Sequence, residues 1–167
     1  MANEQARRRP KAEAQAGLQA LIAERLQRLS SGAQRLIGCA ALLGYRIDAA
    51  LLAQCAGATF EATLAALRAA CELDLISAET RLAAQYRFRH ALTQAAIANT
   101  LGDQQKRNMH AEIARALELV PDADARLEQL AHHWSLAGKG AKAAAYRRRS
   151  GEDARPWGTA GRSGGAR

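Results

Sequence analysis

The sequence predicts a mainly α-helical protein with one short β-hairpin near the middle of the chain. Apolar residues make up 49% of the 167 residues, but aromatic residues only 4%, and alanine fills much of the apolar fraction. Alanine favours helix over other conformations. Apolar residues recur at helical spacing from Leu18 onward, whereas two short segments, 73–77 and 86–90, alternate. These observations predict an α-rich chain with a thin core.

Four helices are expected before the hairpin. The first carries an apolar stripe that begins at Leu18, and the second is expected to start where Ser31 and Gln34 have capping-box spacing. Asp48 is a suitable N-cap for a third helix, and Thr59 is a suitable N-cap for a fourth, "FEATLAALRAACE". Each of these helices is short and has one apolar face.

The hairpin is expected to follow the fourth helix directly. The segments "LDLIS" and "YRFRH" alternate apolar and polar residues, and the polar stretch "ETRLAAQ" separates them. Helices followed by such a hairpin have the order of a winged helix. We therefore predict a winged-helix-like domain at residues 18–101, which includes the helix "ALTQAAIANTL".

Residues 102–149 are predicted to begin a helical-repeat array. The segment "AHHWSLAGKGAKAAAYRRR" has the W…G…A…Y order of a tetratricopeptide-type unit, with Trp134 and Tyr146 as its aromatic residues. One partial unit cannot bury its own apolar face, since such arrays need about three repeats. We therefore expect an exposed apolar end near Leu127, Leu130 and Trp134, with self-association through it. A helical-repeat interaction module is one alternative function.

The net charge of +8 raises the question of nucleic-acid binding. Residues 1–17 and 147–167 together carry ten basic and four acidic side chains, whereas residues 18–146 carry fourteen and twelve. The basic N-terminus at 1–17 and the Gly/Arg-rich tail at 150–167 are predicted to be disordered and solvated. The distribution of charge does not favour a nucleic-acid partner.

The cysteines and the lack of an apolar segment predict a cytoplasmic protein. Cys39, Cys55 and Cys71 form no C-x-x-C pair, and each lies in an apolar helical pattern typical of buried reduced thiols. The basic N-terminus is not followed by the apolar run of a secretory signal. No stretch approaches the roughly 18 apolar residues of a membrane span, so no membrane contact is expected.

The sequence contains no motif of a catalytic or metal site. Phosphate-loop, G-x-G-x-x-G and H-E-x-x-H patterns are absent from it. His132 and His133 are adjacent, so on a helix they point about 100° apart and could not share a metal ion without other ligands. We assign them and His110 to surface or packing roles. The prediction is a non-enzyme with no cofactor of its own.

A stand-alone winged-helix DNA-binding regulator is the other alternative function. The fourth helix would be its recognition helix, but this helix offers Arg68 alone against Glu61 and Glu72. Arg87 and Arg89 share one face of the predicted hairpin and could contact phosphate. These three arginines would carry DNA binding, and salt-sensitive binding to duplex DNA would reveal it.

Five segments, in this order, resemble one continuous region of bacterial STAND-type signalling ATPases, and the resemblance covers Leu18 to Arg149. They are "LQALIAERLQRLSSGAQRLIGCAALLGYRIDAALLAQCAG", "LAALRAACELDLISAE", "YRFRHALTQAAIANTL", "RNMHAEIARALE" and "LEQLAHHWSLAGKGAKAAAYRRR". That family couples an AAA-like ATPase to a LuxR-type DNA-binding domain, a transcription-activation domain or an adenylate/guanylate cyclase domain. There the region follows the ATPase core and comprises a winged helix, which covers the nucleotide, and the first tetratricopeptide-like helices.

The resemblance implies a non-catalytic regulatory segment for signal transduction and transcription regulation. It implies that the chain is a fragment or the product of a disrupted gene, without the ATPase module before it or the repeats and output domain after it. ATP or ADP would then be bound only where an ATPase module is present. The expected partner is such a module or another protein.

His90 is the residue that the resemblance singles out. Related NB-ARC ATPases carry a Met-His-Asp motif at the equivalent strand-to-helix junction, where the histidine contacts the ADP phosphate. Here the tripeptide is Arg89-His90-Ala91, so only the histidine matches. A helix N-terminus favours a phosphate, and Arg89 would add charge. The alternation equally allows His90 to be a half-buried core residue beside Tyr86 and Phe88, and both interpretations stay open.

Overall fold

The computed structural model describes residues 16–79 and 84–153, which form eight α-helices and a small sheet. The predicted disorder of residues 1–15 and 154–167 lies outside these residues, whereas residues 16–17 and 150–153 are helical. No single described helix is long and apolar enough to cross a membrane. The helices are α1 (16–27), α2 (Ser31–Leu43), α3 (Ala49–Ala56), α4 (Phe60–Glu72), α5 (Ala91–Thr100), α6 (Asp103–Glu118), α7 (Leu127–Leu136) and α8 (Gly140–Asp153).

Three antiparallel strands form the sheet in the order β1-β3-β2, so the prediction of a lone hairpin is incomplete. The strands are β1 (Arg46–Asp48), β2 (Ile76–Ala78) and β3 (Gln85–Phe88). In β1, Ile47 pairs with Tyr86 of β3 and is buried. On the other edge of β3, Phe88 pairs with Ile76. β1 escapes sequence analysis because its three residues lie between two helices and are too few for an alternating pattern.

The caps of α3 and α4 are the predicted ones. The Asp48 Oδ1 atom accepts hydrogen bonds from the backbone N–H groups of Ala50, at 2.8 Å, and Leu51, at 2.9 Å. The Thr59 hydroxyl oxygen lies 3.2 Å from the backbone nitrogen of Ala62, which donates to it. These bonds satisfy backbone donors that have no partner in the first turn of a helix.

The N-cap of α2 differs from the prediction by one residue. Ser30, not Ser31, has the extended backbone of a cap, and its hydroxyl accepts from the Ala33 N–H at 3.3 Å. The Gln34 side chain donates to the Leu29 carbonyl at 2.8 Å. Because two serines are consecutive, the sequence does not show which of them is the N-cap. In the structure α1 ends at residue 27 and α2 begins at Ser31, so the cap is Ser30.

The main core lies between the sheet and helices α1 to α6, and Leu130 of α7 also belongs to it. It contains the buried cysteines Cys39 and Cys55, whereas Cys71 is half-buried. Burial raises the pKa of the Cys39 thiol to about 12 and that of Cys55 to about 11. Both thiols are therefore protonated at neutral pH, as the sequence predicts for residues in a core.

Helix α6 joins this core to the last two helices. It packs against α2 and α3 on the core side and against α7. Helices α7 and α8 lie along each other as a helical hairpin that turns at Gly138. Leu127, Leu130 and Trp134 are at most 5% exposed, so the predicted apolar end at these residues is wrong. Their side chains are covered within the chain because α6 and α8 flank α7.

Candidate functional site

His90 lies at the junction of β3 and α5, as its position in the sequence predicts. It is the N-cap of α5 with an extended backbone, and its carbonyl accepts from the N–H groups of Thr93 and Gln94. Its imidazole makes no capping hydrogen bond and is exposed. The interpretation as a half-buried core histidine is wrong, because β3 ends at Phe88 and the bend at Arg89 interrupts the alternation.

Arg89 is held beside His90 by an ion pair with the loop before β2. Its guanidinium lies 2.7 Å from Asp74 Oδ1, and both side chains are about half exposed. The Arg89 backbone N–H also donates to the carbonyl of Leu75. An exposed pair of this kind stabilises a fold by less than about 1 kcal/mol. Asp74 therefore offsets the charge of Arg89, the residue that precedes the N-cap of α5.

The outward face of the sheet carries arginines whose charge is largely paired. Arg46 of β1 lies opposite Arg87 of β3, and both are exposed. The Arg46 guanidinium binds both carboxylate oxygens of Glu79, at 3.0 and 3.1 Å. Together with the Arg89–Asp74 pair beyond the end of β3, this region carries three arginines against two carboxylates. Such a surface attracts phosphate weakly.

Arg68 lies apart from these arginines in the chain, on the exposed side of α4. Glu72 follows it by four residues and Glu61 precedes it by seven, so all three occupy one side of the helix. Each of the three is exposed. As the sequence predicts, this side of α4 offers one cation and two carboxylates, a poor surface for the major groove of DNA.

A buried pair of histidines joins α6 to α7, and sequence reasoning missed it. The Nδ1 atoms of His110 and His133 lie 2.9 Å apart, and the two residues are 6% and 1% exposed. Burial lowers the pKa of both imidazoles below the ordinary value of 6.5. The neighbouring His132 is exposed, and its ring meets that of His133 edge-on. Among the described residues, no group of three or more potential ligands is arranged to hold a metal ion.

Glu118 binds the aromatic residues that mark the predicted repeat unit. Its Oε1 atom accepts from the indole N–H of Trp134 at 2.9 Å and from the hydroxyl of Tyr146 at 2.7 Å. Lys142 lies 3.7 Å from the same oxygen and 4.0 Å from the centre of the Trp134 ring. Burial, aided by the bond to Glu118, raises the pKa of Tyr146 to about 12. The arrangement fastens α6, α7 and α8 together.

An open groove of about 640 Å³ lies where α2, α4 and the turn between α3 and α4 meet. Alanine and glycine form most of its wall, with Arg28 and Arg35 at its edge. Arg35 is paired with Glu112 of α6 at 2.8 Å. The residues that line the groove include no histidine, cysteine or carboxylate that could act as an acid, base or nucleophile.

Comparison with known proteins gives no relative for this chain. A scan against protein-family models, a search of curated proteins and a search of solved structures each find no match.

Proposed function

We propose that this chain is a non-catalytic regulatory segment of a STAND-type signalling ATPase. In this proposal a winged-helix-like unit comprises residues 18–101, and residues 102–149 begin a tetratricopeptide-type sensor. The main support for the winged-helix-like unit is the order of its elements along the chain, α2-β1-α3-α4-β2-β3, together with the strand order β1-β3-β2 in the sheet. A winged helix has this order of helices and strands.

The geometry of α3 and α4 supports the winged-helix proposal. The two helices are bent by 113° to each other, and the connection between them contains Gly57 in the left-handed conformation. Helix-turn-helix units have crossing angles of about 90–120° and a short turn that often contains glycine. The hairpin of α7 and α8, fastened to α6 through Glu118, supports the repeat-like part of the proposal.

The charge on α4 favours a regulatory role over a DNA-reading one. In a DNA-binding winged helix, the second helix of the helix-turn-helix inserts into the major groove. Here that helix exposes Arg68 between Glu61 and Glu72, and Phe60 at its start is 47% exposed. A surface of mixed charge with an exposed aromatic residue is better suited to a protein partner than to a polyanion.

In the proposed complex, His90 contacts a phosphate of ADP bound to a separate ATPase module. Its exposed imidazole has no capping bond to lose, and α5 begins directly after it. The unpaired N–H groups of the first turn carry partial positive charge that favours an anion. Arg89 lies next to His90 and would exchange its exposed pair with Asp74 for the phosphate.

The experiment measures release of fluorescent ADP from the nucleotide-binding module of a STAND-type ATPase that lacks its own winged helix. Adding this chain should slow release. His90→Ala should remove most of that effect, about tenfold in the release rate, because a hydrogen bond to a charged group contributes about 1.5–3 kcal/mol. Arg87→Ala is the matched control, since Arg87 is also exposed but lies within β3. The proposal is wrong if the unaltered chain leaves the release rate unchanged.

A further inference from the structure

The buried histidine pair spans the interface through which the α7–α8 hairpin is attached. His110 lies on α6 and His133 on α7, and their Nδ1 atoms are 2.9 Å apart. Beside them, Ala111 and Ala114 of α6 pack with Trp134 and with Ala143 of α8 in a small second cluster. The pair is therefore a polar contact within an otherwise apolar attachment surface.

We propose that the His110–His133 pair is a proton-sensitive contact that holds the α7–α8 hairpin against α6 at neutral pH and releases it on acidification. When both rings are neutral, one Nδ1 carries a hydrogen and donates it to the other, which has a free lone pair. A first added proton preserves this bond but places a charge in a buried site. A second proton leaves two donors facing each other, and the bond is lost.

The surroundings of the pair disfavour a positive charge. Besides burial, which is the main cause, His132 of α7 lowers the pKa of both rings and Lys106 of α6 lowers that of His110. Four pairs of charged groups on or beside the neighbouring helices are engaged with each other: Arg35–Glu112 between α2 and α6, Lys142–Glu118 between α8 and α6, and Arg126–Asp122 and Arg149–Asp124 around the start of α7. Among the described contacts, no carboxylate accepts a hydrogen bond from either ring.

The sign of the pH effect follows from this environment. Both imidazoles have a pKa below 6.5 when the hairpin is attached, because burial disfavours the charged ring. Once released into water, the rings regain an ordinary pKa. Attachment is therefore at full strength above about pH 6.5 and weakens as the pH falls below this value, since the released state binds more protons.

Release should be local because most of the buried core lies elsewhere. The main cluster joins the sheet to helices α1 to α6 and includes only Leu130 of α7 among its buried residues, whereas α7 and α8 contact mainly α6 and each other. Ile37, Leu52 and Phe88 of the main core are fully buried and carry no titratable group. Acidification should therefore open α7 and α8 before it unfolds α2.

Hydrogen exchange of the full chain, followed by mass spectrometry at about pH 7.5 and about pH 5, tests the proposal. Rates are corrected for the intrinsic pH dependence of exchange. Amides of α7 and α8 should exchange roughly tenfold or more faster at the lower pH, while those of α2 keep their protection. The double variant His110→Leu, His133→Leu should show no such acceleration, because it fills the site with apolar side chains that bind no proton.

His132→Gln is the matched control, since His132 is the exposed neighbour of the pair. This variant should keep the acid-induced acceleration of α7 and α8, at most reduced, because it removes one positive charge that disfavours protonation of the pair but leaves the pair itself intact. Three outcomes would overturn the proposal. One is unchanged exchange of α7 and α8 on acidification. Another is loss of protection in α2 at the same pH, which is global unfolding. The third is an acid response that does not depend on the pair, shown by its persistence in the double variant or its disappearance in His132→Gln.

Discussion

Glu118 is the residue on which three side chains of the last helices converge. Its Oε1 atom accepts from both Trp134 and Tyr146, and Lys142 approaches the same atom. Trp134 is 2% exposed, and its indole N–H is paired with this carboxylate. A carboxylate is suited to this position because it accepts several hydrogen bonds and has no donor that would oppose them.

Removing the Glu118 carboxylate should therefore destabilise the chain by about 2 kcal/mol, since Glu118→Ala leaves a buried indole N–H unpaired. Glu118→Gln should cost less, about 1 kcal/mol, because its carbonyl still accepts a hydrogen bond. Urea unfolding monitored by circular dichroism measures both. Glu128→Ala, which removes an exposed carboxylate from α7, is the control and should have little effect. If Glu118→Ala and Glu128→Ala lowered the free energy of unfolding equally, the hydrogen bonds to Glu118 would contribute nothing to stability.

At the scale of elements, Asp48 joins the sheet to the first helix that follows it. Its Oδ1 atom caps α3, and its Oδ2 atom accepts from the side-chain amide of Gln85, on β3, at 2.6 Å. One carboxylate thus ends β1, starts α3 and binds the central strand. This explains how a strand of three residues is held in register although it is too short to be stable alone.

Asp48→Ala should cost about 2 kcal/mol in the free energy of unfolding, the upper range for the loss of an N-cap, because the bond to Gln85 is lost too. Asp48→Asn should retain part of this stability. The control is Asp103→Ala, since Asp103 starts α6 but its helix has no side-chain cap bond. Thermal unfolding compares the variants. If Asp103→Ala lowered the Tm as much as Asp48→Ala does, the role given to Asp48 as the cap of α3 and the partner of Gln85 would be wrong.

The elements that the sequence predicts are those whose signals are local. Asp48 and Thr59 were identifiable as caps because a cap and its amides lie within three residues. β1 was missed because its pairing partner is about 40 residues away, at Tyr86. The His110–His133 contact was missed for the same reason, since 23 residues separate the two rings. The position of His90 was predictable from a strand followed by a helix, but its exposure depended on where β3 ends.

At the scale of the whole molecule, the net charge is unevenly distributed along the sequence. Residues 16–153 carry seventeen basic and fourteen acidic side chains, so most of the net charge of +8 lies outside this range. Within it, Arg46, Arg89 and Arg149 are paired with carboxylates. Any affinity for nucleic acid should therefore come from the ends of the sequence rather than from the sheet or α4.

Fluorescence anisotropy with labelled duplex DNA, at about 50 mM and about 200 mM salt, tests whether DNA affinity comes from the ends of the sequence. The full chain should bind weakly, and its affinity should fall roughly tenfold or more between these concentrations, because binding releases counterions from phosphates. A shortened chain of residues 16–153 should show no saturable binding. If that shortened chain does bind, and Arg87→Ala weakens it while Arg115→Ala on α6 does not, the sheet is a DNA-binding surface. The regulatory proposal would then give way to that of a DNA-binding winged-helix regulator.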